Sequence, residues 1–126
     1  MRFIATAVLM LVASLGFADQ HKLPNAVEAD PDHYTVVFEN DVIRVVRIKY
    51  GPGESSTMHS HPANCAIFLQ GGEMKMELPD GTSSMAPANA TGVVECGDAE
   101  GHLPTNTGDT VVELILVEMK GLEKAM

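Results

Sequence analysis

The chain of 126 residues has no tryptophan, two tyrosines, four phenylalanines and two cysteines, and it carries 8 Lys+Arg against 17 Asp+Glu. Each scarcity closes off a class. With so few aromatics, any pocket must be lined mainly by Val, Ile, Leu, Met and Ala, which offers little stacking and suits a small, non-aromatic guest. Two cysteines are too few for a disulfide-dense scaffold. A formal net charge of −9 lacks the basic footprint that nucleic acid requires, and it disfavours anionic membrane surfaces. No segment shows a sustained helical period of apolar residues. The uncharged stretch 3–18 is shorter than the roughly 20 residues needed to span a bilayer.

What stands at the front instead is the layout of an export signal. Arg2 is followed by an apolar run from Phe3 to Leu15, interrupted only by Thr6 and Ser14. Gly16-Phe17-Ala18 then places small residues at the two positions a signal peptidase reads. Residues 1–18 are therefore expected to be a signal peptide cleaved near Ala18. The mature protein would be periplasmic or secreted, with no membrane attachment. Only one charge, Arg2, leaves with the leader, so the remainder stays acidic.

Residues 19–33 are polar, contain Pro24 and Pro31, and have no apolar period, which predicts an extended lead-in. Its two histidines, His21 and His33, are expected to have no specific role. From Tyr34 the pattern changes to short β-type runs. "YTVVFE" and "VIRVVRIKY" flank Asn40-Asp41, a tight-hairpin signal. "CAIFLQ" and "EMKMELP" flank Gly71-Gly72, which predicts a second hairpin. Asp80-Gly81 marks a turn before "TSSMAP"; "TGVVEC", "HLPTN" and the very apolar "TVVELILVEM" follow. This succession predicts an all-β sandwich or barrel over residues 34–120, with 121–126 as a short tail. Met58, Met74, Met76 and Met85 are expected to fill the core. Arg44, Arg47 and Lys49 alternate with apolar residues and leave the inward face of their strand open.

The stretch "MHSH" places His59 and His61 at i and i+2. In a strand those side chains share a face, so two imidazoles could aim at one point, and His102 could supply a third corner. Such a set leaves positions open for water or substrate. The same pair beside Ser60 and Pro62 also fits a solvated loop.

Gly53, five residues, His59-Ser60-His61 and an apolar run ending at Gly72 resemble the first motif of the cupin superfamily. His102 and Asn106 in "HLPTN" resemble the end of its second motif. The similarity spans about Phe38 to Met119. It implies a single jelly-roll (cupin) β-barrel holding one divalent transition metal (iron, copper, zinc, nickel or manganese) on His59, His61 and His102. Two departures stand out. The cupin glutamate ligand is replaced by Cys65, and "GDAEGH" replaces the expected Pro-x-Gly before His102.

Cys65 then has three readings: a buried inert thiol, a soft fourth metal ligand, or a disulfide partner of Cys96 in an exported protein. Glu95 and Glu100, near His102, are either acid/base or outer-ligand groups or ordinary surface carboxylates. No catalytic residue stands out. The resemblance is compatible with an exported metal-dependent, dioxygenase-like enzyme acting on a small organic substrate. The alternatives are a non-catalytic metal- or small-ligand-binding module of the cell envelope, and a structural barrel with a vestigial site. The sequence leaves the oligomeric state open, a homodimer included.

Overall fold

The computed structural model describes residues 22–86 and 89–121. The expected signal peptide, and His21 with it, lie outside the described residues. The described chain forms one helical turn and nine strands: α1 (Ala26–Ala29), β1 (Tyr34–Glu39), β2 (Ile43–Tyr50), β3 (His59–His61), β4 (Asn64–Gln70), β5 (Met74–Glu77), β6 (Ser83–Ala86), β7 (Val94–Gly97), β8 (Glu100–Asn106) and β9 (Val112–Met119). They build two antiparallel sheets, ordered β1-β2-β9-β4-β7 and β3-β8-β5-β6.

Strand alternation decides what fills the space between them. On β2, Val46, Ile48 and Tyr50 are buried while Arg47 and Lys49 are exposed. This settles the face that the sequence left open. On β9 the buried positions are Val112, Leu116 and Glu118, which share one parity. The core adds Ala26, Tyr34 and Met74, with Met76, Ala66 and Leu114 packed against it. Met85, expected in the core, is 58% exposed on the short strand β6.

The hairpin signal at Asn40 holds. Asn40 Oδ1 accepts from the amides of Val42 (2.8 Å) and Ile43 (2.9 Å), closing an Asx turn between β1 and β2. Asp80-Gly81 also turns β5 into β6, with Gly81 at φ 85°. The Gly71-Gly72 hairpin does not form. β4 pairs with β7 and β9, whereas β5 pairs with β6 and β8, so the two glycines carry the chain from one sheet to the other. They are needed there for close approach. A Cβ on Gly71 would overlap the Asn89 carbonyl, and one on Gly72 would meet Val112 Cγ2 at 2.8 Å.

The lead-in also departs from expectation. Asn25 accepts from the Val27 amide (3.1 Å) and caps the single turn α1. Residues before it lie along the free edge of β3. Asn25 and Ser60 form a parallel bridge, Ser60 N donates to the Pro24 carbonyl at 2.9 Å, and Ser60 Oγ donates to the Leu23 carbonyl at 3.0 Å.

Candidate metal centre

His59 and His61 both point inward from β3, and each is almost fully buried. His102 sits directly opposite His59 in the β3–β8 register. One short strand and its neighbour thus gather three imidazoles, as the i, i+2 spacing predicts. Their ligating nitrogens lie within 4.8 Å of one another. The solvated-loop reading of His59 and His61 is thereby excluded.

Hydrogen bonds fix how the rings are turned. His59 Nδ1 lies 2.8 Å from the Thr57 carbonyl, which can only accept. His61 Nδ1 lies 2.8 Å from Glu118 Oε1, and His102 Nδ1 lies 3.2 Å from Glu100 Oε1. Burial pushes the Glu118 carboxyl up, but bonds from His61 and Arg44 outweigh it and hold the pKa below its ordinary value. The bond from His102 lowers that of Glu100. Both are therefore carboxylates that accept. Each Nδ1 then carries a proton, which leaves Nε2 as the nitrogen available to a metal.

His59 Nε2 and His61 Nε2 lie 3.0 Å apart. Two lone pairs at that distance repel unless a cation sits between them. Burial, followed by the charges of His61 and His102, pushes the His59 pKa down to about 4, so a proton on His59 itself is disfavoured at neutral pH. Two nitrogens bound at right angles to one ion, each about 2.1 Å from it, stand about 3.0 Å apart. Three converging imidazoles, each with an acceptor behind its Nδ1, therefore fit a divalent transition metal.

Cys65, the candidate fourth ligand, is instead bonded to Cys96, with the two Cα atoms 4.0 Å apart and in register across β4 and β7. It has no thiolate to offer, and strand parity explains why. The neighbours Asn64, Ala66 and Phe68 line the cavity, so Cys65 falls on the other face of β4. Of the two acidic candidates, Glu100 orients His102. Glu95 is exposed, borders the cavity and makes no hydrogen bond or ion pair with the three histidines.

Three residues that the motifs did not flag complete the site. Glu118 is 1% exposed and binds both His61 and Arg44, the latter through Nε at 2.6 Å. Its signal was an acidic residue at an inward position of the apolar run "VELILVEM". Tyr34 Oη lies 3.1 Å from His59 Nε2, and Tyr50 Oη donates to Tyr34 Oη at 2.7 Å. Burial raises both phenols, Tyr50 to about 12 and Tyr34 well above its ordinary value. Asn106, the last residue of "HLPTN", is structural. It is fully buried, donates to the carbonyls of Tyr50 and Thr110, and accepts from Gly108 N.

His33 has a role after all. Its ring stacks on Tyr50 at 4.4 Å, and its nitrogens meet Asp30 (2.7 Å) and Glu54 (3.2 Å). Asp30 also accepts from Ser56 Oγ at 2.6 Å, and Ser56 lies 3.3 Å from His59 Nδ1.

His61 and His102 open onto a cavity of about 220 Å³. Its other walls are chiefly apolar, with Ile48, Phe68, Met74, Met76, Leu114 and Leu116 among them. That volume is below the range of about 300–1,000 Å³ of pockets for drug-sized ligands.

No family model matches the sequence, and no curated protein matches it. Solved structures do. A cupin domain from Bordetella pertussis Tohama I superposes with a TM-score of 0.64 at 24% identity, covering 79% of this chain and 98% of that one. A protein with a double-stranded β-helix domain from Klebsiella pneumoniae gives 0.56 at 20% identity, over 72% and 78% of the two chains. An RmlC-like cupin from Methanocaldococcus jannaschii gives 0.53 at 16% identity, over 68% and 77%. At these identities the likeness is one of fold, and it agrees with the two facing sheets: the chain has an all-β jelly-roll barrel fold like that of these cupin structures.

Proposed function

We propose that this protein is an exported metal-binding cupin in which His59, His61 and His102 hold one divalent transition metal beside a cavity for a small organic molecule. The observation that carries the reading is the shared orientation of the three rings. Every Nδ1–H is tied to an acceptor, and the nitrogens left free converge. Glu118, Glu100 and the Thr57 carbonyl keep the ligands basic and correctly turned. Three protein ligands leave positions open toward substrate, and a bound ion there would supply Lewis acidity or, as iron or copper, redox chemistry with dioxygen. The apolar walls exclude water and select a small guest. The Cys65–Cys96 disulfide suits an oxidising compartment, in keeping with the export signal.

The enzymatic form of this reading is a dioxygenase-like activity on the cavity's occupant. A non-catalytic metal- or ligand-binding module is favoured by one observation. Glu100, the carboxylate nearest the ligands on the cavity wall, is engaged by His102 rather than free to move a proton. Dioxygen uptake with candidate small molecules separates the two.

The test of the metal site is elemental analysis of protein purified from its native compartment, with alanine at each histidine. One metal per chain is expected. Each of His59→Ala, His61→Ala and His102→Ala should weaken affinity by about a thousandfold, since roughly a third of a site worth about 10–16 kcal/mol is removed. His33→Ala should keep its metal. Equal metal content in all four variants overturns the assignment.

A further inference from the structure

The hydroxyl of Tyr34 has a hydrogen-bonding problem that metal binding creates. Tyr50 Oη donates to Tyr34 Oη, so the single hydrogen of Tyr34 is directed elsewhere, and it faces His59 Nε2 at 3.1 Å. That nitrogen is an acceptor because Thr57 fixes the proton on the other side of the ring. The same lone pair is the one His59 would give to a metal. Once it is given, the Tyr34 hydrogen loses its acceptor in a residue only 3% exposed, and a buried donor left without a partner is costly. Tyr34 lines the cavity alongside His61 and His102, so the space in which it can find a new acceptor is the space a ligand fills.

We propose that Tyr34 is the hydrogen-bond donor that orients a ligand at the metal, and that the ligand carries an acceptor oxygen or nitrogen beside the atom that binds the ion. The chemical class is a small carbonyl, carboxylate or hydroxyl compound with a largely apolar remainder. Tyr50 is the positioning residue that holds the Tyr34 hydroxyl in place. This assignment rests on the three-histidine metal site proposed above.

The test uses the full protein loaded with copper(II) and titrated with azide, whose terminal nitrogens accept hydrogen bonds. Binding is read from the azide-to-copper charge-transfer band. Tyr34→Phe should bind the same amount of copper with the same absorption before azide is added, yet bind azide about tenfold more weakly. Tyr50→Phe should weaken azide by about two- to threefold, and it serves as the second readout if Tyr34→Phe folds poorly. Wild-type azide affinity in either folded variant overturns the assignment while leaving the metal site standing. A changed copper absorption in Tyr34→Phe before azide also overturns it, because the phenol would then be a ligand itself. Wild-type protein that takes up no copper overturns the metal-site reading instead.

Discussion

The two sheets divide the labour unequally. In the five-stranded sheet, β2 and β9 pair over eight successive residues, from Ile43↔Met119 to Tyr50↔Val112. In the four-stranded sheet, the strand that carries two of the three histidines is three residues long and has three pairs with β8. A three-residue strand with one partner cannot hold side chains to the tolerance a metal site needs. What makes up the difference lies outside both sheets. Residues 23–25 cover the open edge of β3, and Ser56, Asp30 and His33 link the turn before it to the lead-in. The long sheet supplies much of the core, while the short one supplies ligand geometry and borrows its rigidity.

The separation can be broken from the stable side. Cys65–Cys96 joins β4 to the edge strand β7 across a sequence separation of 31. In the chain-entropy account a closed loop of that length stabilises the fold by about 3.5 kcal/mol. Cys65→Ser should therefore lower unfolding stability by about that amount in urea titrations. Metal content measured on the folded variant should not change, because Cys65 is not a ligand. Loss of metal in folded Cys65→Ser would mean that the two regions are not separable.

Glu118 sharpens the comparison, because it stands on the long sheet and acts on the short one. It bonds to His61 on one side and Arg44 on the other. Glu118→Gln keeps an acceptor for His61 Nδ1–H but removes the charge that raises ligand basicity. Metal affinity should fall by about 10–100-fold, or about 1.4–2.7 kcal/mol. A chelator competition measures it, and unchanged affinity would reduce Glu118 to a structural ion pair with Arg44.

Glu118 and Cys65 also show where the sequence is legible and where it is not. The histidine set and most strand limits follow from local rules: alternation, turn residues and the motif spacing. Three of the misses are matters of partnership. Gly71-Gly72 has the composition of a hairpin, yet its flanking strands choose partners in different sheets, and no local pattern encodes that choice. Cys65 occupies a ligand position by counting, but the parity of β4 turns it away, and its bond to Cys96 depends on a register set far along the chain. Tyr34 and Tyr50 come together only because β1 and β2 are neighbours, with Tyr34 edge-on to His59 and Tyr50 stacked on His33. Glu118 was within reach, since an acidic residue two positions beyond Leu116 on one face is a buried charge that must find partners. The lead-in misled for a further reason. Its contribution is made by main-chain bonds and by Asp30 and His33, none of which leaves an apolar period to detect.

The smallest expected effect tests that brace. Asp30 accepts from Ser56 Oγ and from His33 Nδ1, while His33 stacks on Tyr50 and reaches Glu54 with its other nitrogen. Burial raises the Asp30 carboxyl, but the bonds from Ser56 and His33 win and set its pKa below the ordinary value. A carboxyl with a depressed pKa in the folded state binds fewer protons there than when unfolded. Its stabilising contribution is therefore complete above the ordinary aspartate range, near pH 4, and is lost as the pH falls through the folded value. Asp30→Asn should cost about 1 kcal/mol at neutral pH, and the gap from wild type should close as the pH drops below about 4. Hydrogen exchange locates the damage. The Ser60 amide, which donates to Pro24, should exchange faster in the variant, while the amides of β2 and β9 should slow or quicken only with global stability. Equal loss of protection across both sheets would show that the lead-in stabilises the barrel as a whole and does not specifically brace the histidine strand.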